Sequence, residues 1–149
     1  NIRPLRWSSE KYCRETIASF FQDANILKLT DEELFFLTET NSIEAGLELL
    51  KPLNVPIVLV TVGANGAYAV LNGEVMHVPV EQVVPVDTTG AGDAFMAGVL
   101  RYVHYNGLPT TKESLFNCVA FGNKLGAMAA TKAGALTALP RYDEIKDLL

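Results

Sequence analysis

The sequence has neither an excess of basic residues nor a long apolar run. These features mark proteins that bind nucleic acid polymers and proteins that span membranes. Its 149 residues carry 12 basic and 17 acidic side chains, for a formal net charge of −5. That balance excludes the broad basic footprint of a protein that binds nucleic acid polymers, although a local anion site is compatible with it. No apolar run approaches the roughly 20 residues that span a bilayer, and no signal peptide is visible. We therefore expect neither a nucleic acid polymer nor a membrane as a partner.

Cysteine is scarce as well. Cys13 and Cys118 stand far apart and match no metal-binding spacing. We predict two buried, reduced thiols rather than a disulfide, because cysteine-poor globular domains rarely depend on one. With 49% hydrophobic and 19% charged residues, the chain has enough apolar side chains for the core of one domain. A cytoplasmic enzyme fits this composition.

Apolar, β-branched segments alternate with helical segments along the chain. Segment 56–62 is almost wholly apolar, which indicates a strand covered on both faces, and Asn72-Gly73 predicts a hairpin turn. Such alternation predicts an α/β fold with a largely parallel sheet. The predicted strands are 24–29, 56–62, 67–71, 74–78 and 83–86, and the predicted helices run from Ser8 or Ser9 to about residue 21 and over about 30–39, 43–53, 92–106, 112–131 and 141–149.

The most informative segment is the glycine-rich run Asp87-Thr88-Thr89-Gly90-Ala91-Gly92-Asp93-Ala94-Phe95. Small residues before a long helix leave its first backbone N–H groups accessible, and with the positive helix end these groups form an anion site. The acid Asp93 has two interpretations. It could cap the helix, or it could accept a proton from a nucleophile that attacks a phosphoryl group held at the anion site. The residues alone leave both interpretations open.

The same run, continued to Gly98, resembles the C-terminal signature of the ribokinase-like sugar kinases, also called the PfkB carbohydrate kinase family. The resemblance implies that Asp93 is the catalytic base. It also implies that the amides of Gly90, Ala91 and Gly92 hold the charge that develops on the transferred phosphate, and that the fold is a ribokinase-like three-layer α/β/α arrangement. The chain has no G-x-x-x-x-G-K-[ST] motif, so it is not a P-loop kinase.

The resemblance extends over essentially the whole chain but only over the second half of such a kinase. The chain also begins with Asn1 rather than Met, and its first residues already read as the end of a structural element. We expect residues 1–149 to be the nucleotide-binding and catalytic C-terminal part of a single sugar-kinase domain, with the N-terminal half and the lid absent. The full-length protein is expected to be a homodimer with a small-molecule sugar and ATP as its ligands.

Three further segments resemble elements around the nucleotide in this family. Segment 61–66 is similar to the T-x-G-x-x-G loop, which implies that Thr61, Gly63 and, more weakly, Gly66 lie at the nucleotide phosphates, although such glycines also suit an ordinary turn. Asn123 lies in the helix that backs the adenine in the family, but a hydrogen bond to a neighbour explains a helical Asn equally well. Segment 131–135 resembles the loop that closes the nucleotide pocket, which implies a role for Gly134.

The resemblance also implies two metal sites. Thr30-Asp31-Glu32-Glu33 is a capping box by pattern, and Glu33 also matches the acid of the family's N-x-x-E element, which helps to organise Mg²⁺ through water. Thr30 stands where the family usually has Asn, so only Glu33 is carried over. In several members a monovalent cation such as K⁺ lies beside the nucleotide loop. The matching positions here are Asp87, which also suits a turn at a strand end, and Thr89, Ala129, Lys132 and Gly134.

The first seven residues bear on the substrate. They resemble the D-x-N-x-R-x-x-L-W element of fructokinases and 2-keto-3-deoxygluconate kinases, without the leading Asp and with Arg6 in place of Leu. Arg3 is therefore a candidate sugar contact, with a surface arginine as the alternative. The resemblance implies an ATP-dependent sugar kinase, with fructokinase preferred and 2-keto-3-deoxygluconate kinase as the alternative. A non-catalytic nucleotide-binding module and a kinase for a nucleoside or a vitamin are the competing hypotheses.

Overall fold

A computed structural model describes residues 2–148, which form one four-stranded sheet with helices on both faces. The strands are β1 (Ile26–Thr30), β2 (Ile57–Thr61), β3 (Ala67–Leu71) and β4 (Glu74–Val78). The helices are α1 (Glu10–Ser19), α2 (Asp31–Thr38), α3 (Ile43–Leu50), α4 (Ala91–Asn106), α5 (Lys112–Ala130) and α6 (Tyr142–Ile145). The predicted α/β class is confirmed by these layers.

The sheet of the described residues is mixed, with the strands in the order β1-β2-β3-β4. Strands β1 and β2 are parallel, and Thr30 lies opposite Thr61 at their carboxyl ends. The pairs β2–β3 and β3–β4 are antiparallel. In this part of the fold the prediction of a largely parallel sheet therefore holds for one pair only. The crossover through α2 and α3 is long enough for a parallel pair, whereas the short turns that flank β3 permit only antiparallel pairing.

Successive side chains of each strand point to opposite faces of the sheet, so the strands separate two apolar layers. Ile57 and Leu59 face α4 and α5, where they pack with Phe95 and Val99. On the other face, Leu27, Leu29, Val58 and Val60 pack with side chains of the α1–α3 layer, such as Leu34 and Leu47. This arrangement is the three-layer α/β/α sandwich that the resemblance implied.

Helices α4 and α5 approach each other closely because glycines occupy their contact. A Cβ atom added to Gly98 would lie 2.9 Å from the Cα atom of Gly122, which is closer than real side chains come. A Cβ atom on Gly126 would lie 3.1 Å from the carbonyl oxygen of Ala91, in the first turn of α4. The small residues that the sequence crowds into α5 therefore place it directly behind the start of α4.

Two predicted elements differ from the structure. Residues 83–86 form no strand and instead cross the surface as irregular chain, with Val84 and Val86 exposed. The N–H groups of Val86 and Asp87 donate to the carbonyl oxygen of Ala130, at the end of α5, rather than to a neighbouring strand. The predicted terminal helix 141–149 is shorter, since α6 covers only Tyr142–Ile145 and residue 149 lies outside the described part.

The structure confirms the prediction for the cysteines and adds one observation about membranes. Cys13 and Cys118 are both buried and free, and burial raises the pKa of the Cys118 thiol to about 11. Among the described residues, no helix is both long and apolar enough to cross a membrane.

Candidate functional site

A cleft of about 510 Å³ opens where β1 and β2 reach their carboxyl ends. Thr30 and Thr61, the last residues of those strands, lie in its wall. The start of α4 forms another wall, and the middle of α5 lies behind both. Ligands of open α/β sheets commonly bind at this edge, because loops and helix starts converge there. Of the residues singled out in the sequence, the cleft is lined by Thr61, Gly63, Gly66, Ala91, Gly92 and Asn123.

The glycine-rich turn presents the start of α4 without a side-chain cap. Gly90 is the N-cap residue, with a φ of 84° that disfavours any residue with a Cβ atom. The N–H group of Ala91 donates to the carbonyl oxygen of Thr88 at 3.1 Å. Within residues 2–148, the N–H groups of Gly90, Gly92 and Asp93 have no hydrogen-bond partner. The turn therefore offers unsatisfied donors at the positive end of a 16-residue helix.

Asp93 lies in the first turn of α4 with an exposed side chain. Its carboxylate takes part in no hydrogen bond and no ion pair within the described residues, so the capping interpretation finds no side-chain hydrogen bond to support it. An acid at this position still gains from the helix dipole. The carboxylate is exposed, and Asp93 directly follows Gly92, which lines the cleft, although Asp93 itself is not one of the lining residues.

The loop after β2 is built around Gly66. The N–H group of Val62 donates to the carbonyl oxygen of Gly66 at 2.9 Å, which closes the loop. A Cβ atom on Gly66 would lie 2.3 Å from the carbonyl oxygen of Val78, so no other residue fits there. The hydroxyl group of Thr61 donates to the carbonyl oxygen of Leu29 at 3.3 Å and joins the loop to β1. Gly66 thus has the structural role, as a turn glycine, that the sequence left open as an alternative. The loop also lines the cleft.

Asn123 is 6% exposed and supports the back of the cleft. Its amide nitrogen donates to the carbonyl oxygens of Val78 at 3.0 Å and Pro79 at 3.3 Å. The hydrogen bond to a neighbour that we considered as an alternative is therefore present. Because the two N–H bonds of the amide are used in this way, only the side-chain oxygen of Asn123 is available to a ligand.

Glu33 caps α2 with one carboxylate oxygen and holds the start of the described chain with the other. Oε2 accepts the N–H group of Thr30 and Oε1 accepts that of Ile2, each at 2.9 Å, and the hydroxyl group of Thr30 accepts the N–H group of Glu33. Burial raises the pKa of Glu33, but the two backbone N–H groups and the nearby Lys28 outweigh it, and the pKa is lowered overall. Glu33 is absent from the cleft wall, to which its neighbours Asp31 and Glu32 contribute.

Asp87 ties the glycine-rich turn to the loop after α5. Its Oδ1 atom accepts the N–H group of Thr89 at 2.9 Å, and its Oδ2 atom accepts that of Gly134 at 3.0 Å. Hydrogen bonds from Thr89 and Gly134 lower the pKa of Asp87. The main-chain contact between Gly90 and Ala135 follows from this tie, since a Cβ atom on Gly90 would lie 3.1 Å from the Ala135 carbonyl oxygen.

The other residues predicted around a monovalent cation lie at the end of α5. The N–H group of Lys132 donates to the carbonyl oxygen of Ala129 at 3.2 Å, and the ammonium group of Lys132 pairs with Glu144 at 2.8 Å. The structure therefore brings Asp87, Thr89 and Gly134 into direct contact and places Ala129 and Lys132 at the base of the same loop. No group of three or more His, Cys, Asp or Glu side chains that could hold a metal ion occurs among the described residues.

Arg3 is exposed and lies outside the cleft wall. Its segment is nevertheless held beside the cleft, because the N–H group of the preceding Ile2 bonds Glu33 at the start of α2. The carbonyl oxygen of Arg3 accepts the N–H group of Arg6 in a short 3₁₀ turn, Pro4–Arg6.

Some residues of the cleft were missed by the sequence analysis. Lys28, in the middle of β1, lines the cleft, and a Cβ atom on Gly92 would lie 3.3 Å from its ammonium nitrogen. The signal was present in the sequence, since Lys28 interrupts an otherwise apolar strand. Gly126, Ala127 and Ala130 form the back of the cleft. All three are small, but no pattern in α5 says which of its faces meets the ligand.

Comparison with known proteins supports the family resemblance over almost the whole chain. A model of the family described as pfkB family carbohydrate kinase matches residues 1–141. The fructokinase of Klebsiella pneumoniae is 39% identical over 147 residues, which are 98% of this chain and 48% of that protein. The chain thus spans about half the length of the curated relatives that it matches.

Two solved structures share the fold. The fructokinase from Vibrio cholerae O395, in its form with fructose, ADP and calcium ion bound, superposes with a TM-score of 0.87 at 37% identity, over 93% of this chain and 45% of that one. The aminoimidazole riboside kinase from Salmonella enterica, complexed with aminoimidazole riboside and an ATP analogue, superposes with a TM-score of 0.88 at 32% identity, over 98% of this chain and 49% of that one.

Proposed function

Because this chain belongs to the pfkB family of carbohydrate kinases, we propose that it forms the nucleotide-binding and catalytic part of an ATP-dependent sugar kinase, with fructose as the favoured acceptor. The rest of such an enzyme would supply most of the sugar contacts and the lid. We further propose that the complete enzyme is a cytoplasmic homodimer.

One observation carries this proposal. The N–H groups of Gly90, Gly92 and Asp93 at the start of α4 are unsatisfied in the described part of the chain, and they lie beside an exposed carboxylate that has no hydrogen bond of its own. Unsatisfied donors at a helix start attract an anion such as a phosphate. An acid next to a bound phosphate repels it, which is unfavourable unless the acid accepts a proton in the reaction. Phosphoryl transfer to a hydroxyl group needs both parts.

In the proposed reaction the nucleotide lies along the cleft. The adenine would pack against the small residues Gly126, Ala127 and Ala130, with the side-chain oxygen of Asn123 as an acceptor. The phosphates would lie between the loop of Gly63 and the start of α4. Asp93 would accept the proton of the sugar hydroxyl group as its oxygen bonds the terminal phosphorus and the bond to ADP breaks.

The residues around the cleft fit a magnesium ion bound with the nucleotide. Mg²⁺ keeps several waters and is usually held by one or two carboxylates together with phosphate oxygens. Asp31 and Glu32 lie in the cleft wall, and Glu33 is adjacent to both. The two Glu33 oxygens accept the backbone N–H groups of Ile2 and Thr30, and a carboxylate oxygen has more than one acceptor site. When bound, the ion would neutralise charge on the phosphates.

The loop beside Asp87 fits a monovalent cation less directly. Both Asp87 oxygens accept a backbone N–H group, so a cation there would share them with Thr89 and Gly134. The Lys132 ammonium group, which pairs with Glu144, has no lone pair for a cation, so only the backbone carbonyl oxygen of Lys132 could be a ligand atom. We propose a K⁺ ion at this loop as a support for the turn and assign it no step in the reaction.

The substrate is tested by offering ATP and a panel of acceptors to the complete enzyme. Fructose phosphorylation with the highest kcat/KM would support the proposal. A preference for 2-keto-3-deoxygluconate, or for the riboside that the similarity to the Salmonella protein suggests, would replace fructose as the substrate but keep the kinase. Absence of transfer to any acceptor, with ATP still bound, would favour the non-catalytic nucleotide-binding module.

Arg3 distinguishes the two sugar classes. If it faces a substrate carboxylate, Arg3→Ala should remove a charge-assisted hydrogen bond and cost about 1.5–3 kcal/mol in kcat/KM for the keto-deoxy sugar acid, with little change for fructose. Arg6→Ala, which alters the neighbouring exposed arginine, is the matched control. An equal loss for both substrates would mean that Arg3 has a structural role.

A further inference from the structure

The loop that follows β2, residues 62–66, pairs every one of its carbonyl oxygens but only some of its N–H groups. The carbonyl oxygens of Val62, Gly63 and Gly66 accept N–H groups from within the loop. Those of Ala64 and Asn65 accept side-chain donors. Within residues 2–148, the N–H groups of Gly63 and Ala64 have no hydrogen-bond partner, and both residues line the cleft. The 62–66 loop therefore has free backbone donors at the cleft wall, which suits an anion.

The two side-chain donors come from the end of β4 and the segment after it. The amide nitrogen of Gln82 donates to the carbonyl oxygen of Ala64 at 2.7 Å. The Nε2 atom of His77 lies 2.7 Å from the carbonyl oxygen of Asn65. Because a carbonyl oxygen can only accept, Nε2 must carry a proton in this contact.

The surrounding fold holds both donors in place. His77 lies opposite Tyr68 in the β3–β4 ladder, and the centroids of the two rings are 5.0 Å apart. The carbonyl oxygens of the next two residues both accept the side-chain amide of Asn123. The chain therefore leaves β4 in a fixed direction, and Gln82 follows within a few residues.

The need to satisfy the two carbonyl groups does not explain these contacts. Ala64 and Asn65 are exposed, so water would serve their carbonyl oxygens equally well. Unlike water, a side chain that is fixed at its other end holds a peptide group in one orientation. Such an orientation matters beside a phosphate, because a carbonyl oxygen that turned into the cleft would repel it.

Deepening the function proposed above, and resting on it, we propose that His77 and Gln82 are positioning residues for the nucleotide phosphates. They hold the carbonyl oxygens of the 62–66 loop, so that the N–H groups of Gly63 and Ala64 stay free to donate to phosphate oxygens. Their effect is on nucleotide binding rather than on the transfer step. His77 gives the sharper test, because Gln82 lines the cleft itself and His77 does not.

The test removes the donor of His77 and keeps its ring. In His77→Phe, the new ring can still contact Tyr68. Dissociation constants for the non-hydrolysable β,γ-imido analogue of ATP and for adenosine are measured on this chain by chemical-shift titration in one magnesium buffer. We expect the variant to weaken the ATP analogue by about 3- to 10-fold, as for loss of one hydrogen bond, and to leave adenosine binding unchanged.

His104→Phe is the matched control, since His104 is also exposed and its ring lies 4.9 Å from that of Tyr105. It should change neither constant. Two further variants ask whether the donor itself is what matters. The amide nitrogen of Gln stands at about the reach of Nε2, and that of Asn is one bond nearer the backbone. His77→Gln should therefore restore most of the affinity for the ATP analogue, and His77→Asn should not.

A role in stability alone predicts a different pattern. It would weaken both ligands equally, or lower the free energy of unfolding without changing either affinity, and the Gln and Asn variants would behave alike. Any of these results, with the unsubstituted chain still binding the ATP analogue, would overturn the role of His77 and leave the proposed function in place. If the unsubstituted chain binds neither ligand, the proposed function fails and this inference fails with it.

A second measurement needs no substituted protein. The ring-nitrogen resonances of His77 at neutral pH should show the tautomer with its proton on Nε2. The tautomer with its proton on Nδ1 would contradict the proposal, because Nε2 would then have nothing to donate.

In the complete enzyme, His77→Phe should raise KM for ATP by a similar factor of about 3 to 10. It should leave kcat and the KM for the sugar unchanged, because the contact is the same before and during transfer. His77→Gln should return the KM for ATP towards its original value. A lowered kcat with an unchanged KM for ATP would overturn the assignment to nucleotide binding.

Discussion

Helices α2 and α4 both begin beside the same cleft, but they begin in opposite ways. At α2, the hydroxyl group of Thr30 and the carboxylate of Glu33 satisfy backbone N–H groups reciprocally in a complete capping box. At α4, the N-cap residue is Gly90, which has no side chain, and an acid at the equivalent third position, Asp93, accepts nothing within the described residues. Capping a helix start typically contributes about 1 kcal/mol. Stability is gained at one start and forgone at the other, which is expected where a ligand is to complete the hydrogen bonds.

The largest expected effect comes from the acid of the uncapped start. Asp93→Asn keeps the size of the side chain, so folding and ATP affinity should survive, but it removes the proton acceptor. Turnover of the complete enzyme should fall by about 10²–10⁴-fold. Glu113→Gln, at an acid in the first turn of α5, is the control and should keep full turnover. Turnover and melting temperature are measured on one preparation of each variant. A well-folded Asp93→Asn protein with nearly normal turnover would show that the carboxylate is not the base.

The next effect concerns the backbone of the same helix start. Gly90→Ala forces a residue with a Cβ atom into the left-handed region, which costs roughly 1–2 kcal/mol, and it places a methyl group 3.1 Å from the Ala135 carbonyl oxygen. Gly107→Ala has a similar φ of 78° but nothing within 4 Å of the new atom. We expect both to lower the free energy of unfolding in urea titrations and only Gly90→Ala to weaken nucleotide binding. Equal nucleotide affinity in both variants would mean that the turn is not a phosphate site.

A smaller effect is expected at the capped start. Glu33→Ala removes one half of the capping box and should lower the free energy of unfolding by about 1 kcal/mol. Glu33→Gln should keep most of that stability, because Gln also serves in capping boxes. If Glu33 also organises Mg²⁺, the Gln variant of the complete enzyme should need more Mg²⁺ for half-maximal activity. A magnesium requirement that is unchanged in a stable Gln variant would leave Glu33 with the cap alone.

The smallest effect is a pH dependence at the same residue. Burial raises the pKa of Glu33, but the backbone hydrogen bonds from Ile2 and Thr30 and nearby positive charge together outweigh burial, so the pKa is lowered in the folded chain from its ordinary value of 4.5. The stabilisation is therefore fully present above that value and is lost as the pH falls through the lowered pKa. Urea titrations across this acid range should show a weaker pH dependence for Glu33→Gln than for the unsubstituted chain. Parallel curves for the two proteins would contradict the lowered pKa.

The contrast between the two helix starts was only half predictable from the sequence. Thr30 and Glu33 form a local pattern three residues apart, and the capping box follows from that spacing alone. The glycine-rich run likewise predicted the start of α4. That Asp87 would reach Gly134, 47 residues away, could not be read from spacing, because it depends on how α5 packs against α4.

The errors have the same origin. Residues 83–86 have the composition of a strand, but a strand needs a partner, and the N–H group of Val86 finds the end of α5 instead. Lys28 was passed over because strand periodicity shows which residues share a face but not which face meets a cleft. Local chemistry was therefore predictable from spacing, whereas the proximity of distant segments such as those of Asp87 and Gly134 followed only from the family resemblance.

The glycine contact between α4 and α5 has a consequence for how this fold could fail. Gly98 follows Asp93 by five residues, or about 7.5 Å along the helix axis, and it is not one of the residues that line the cleft. A methyl group at Gly98 would meet the backbone of Gly122 at 2.9 Å, and backbone cannot rotate away as a side chain can. Helix α4 would have to shift as a rigid rod, and Asp93 would move with it. A substitution at this remote position is thus the kind of change that produces a heat-sensitive allele, with an enzyme that is assembled at low temperature and inactive when warmed.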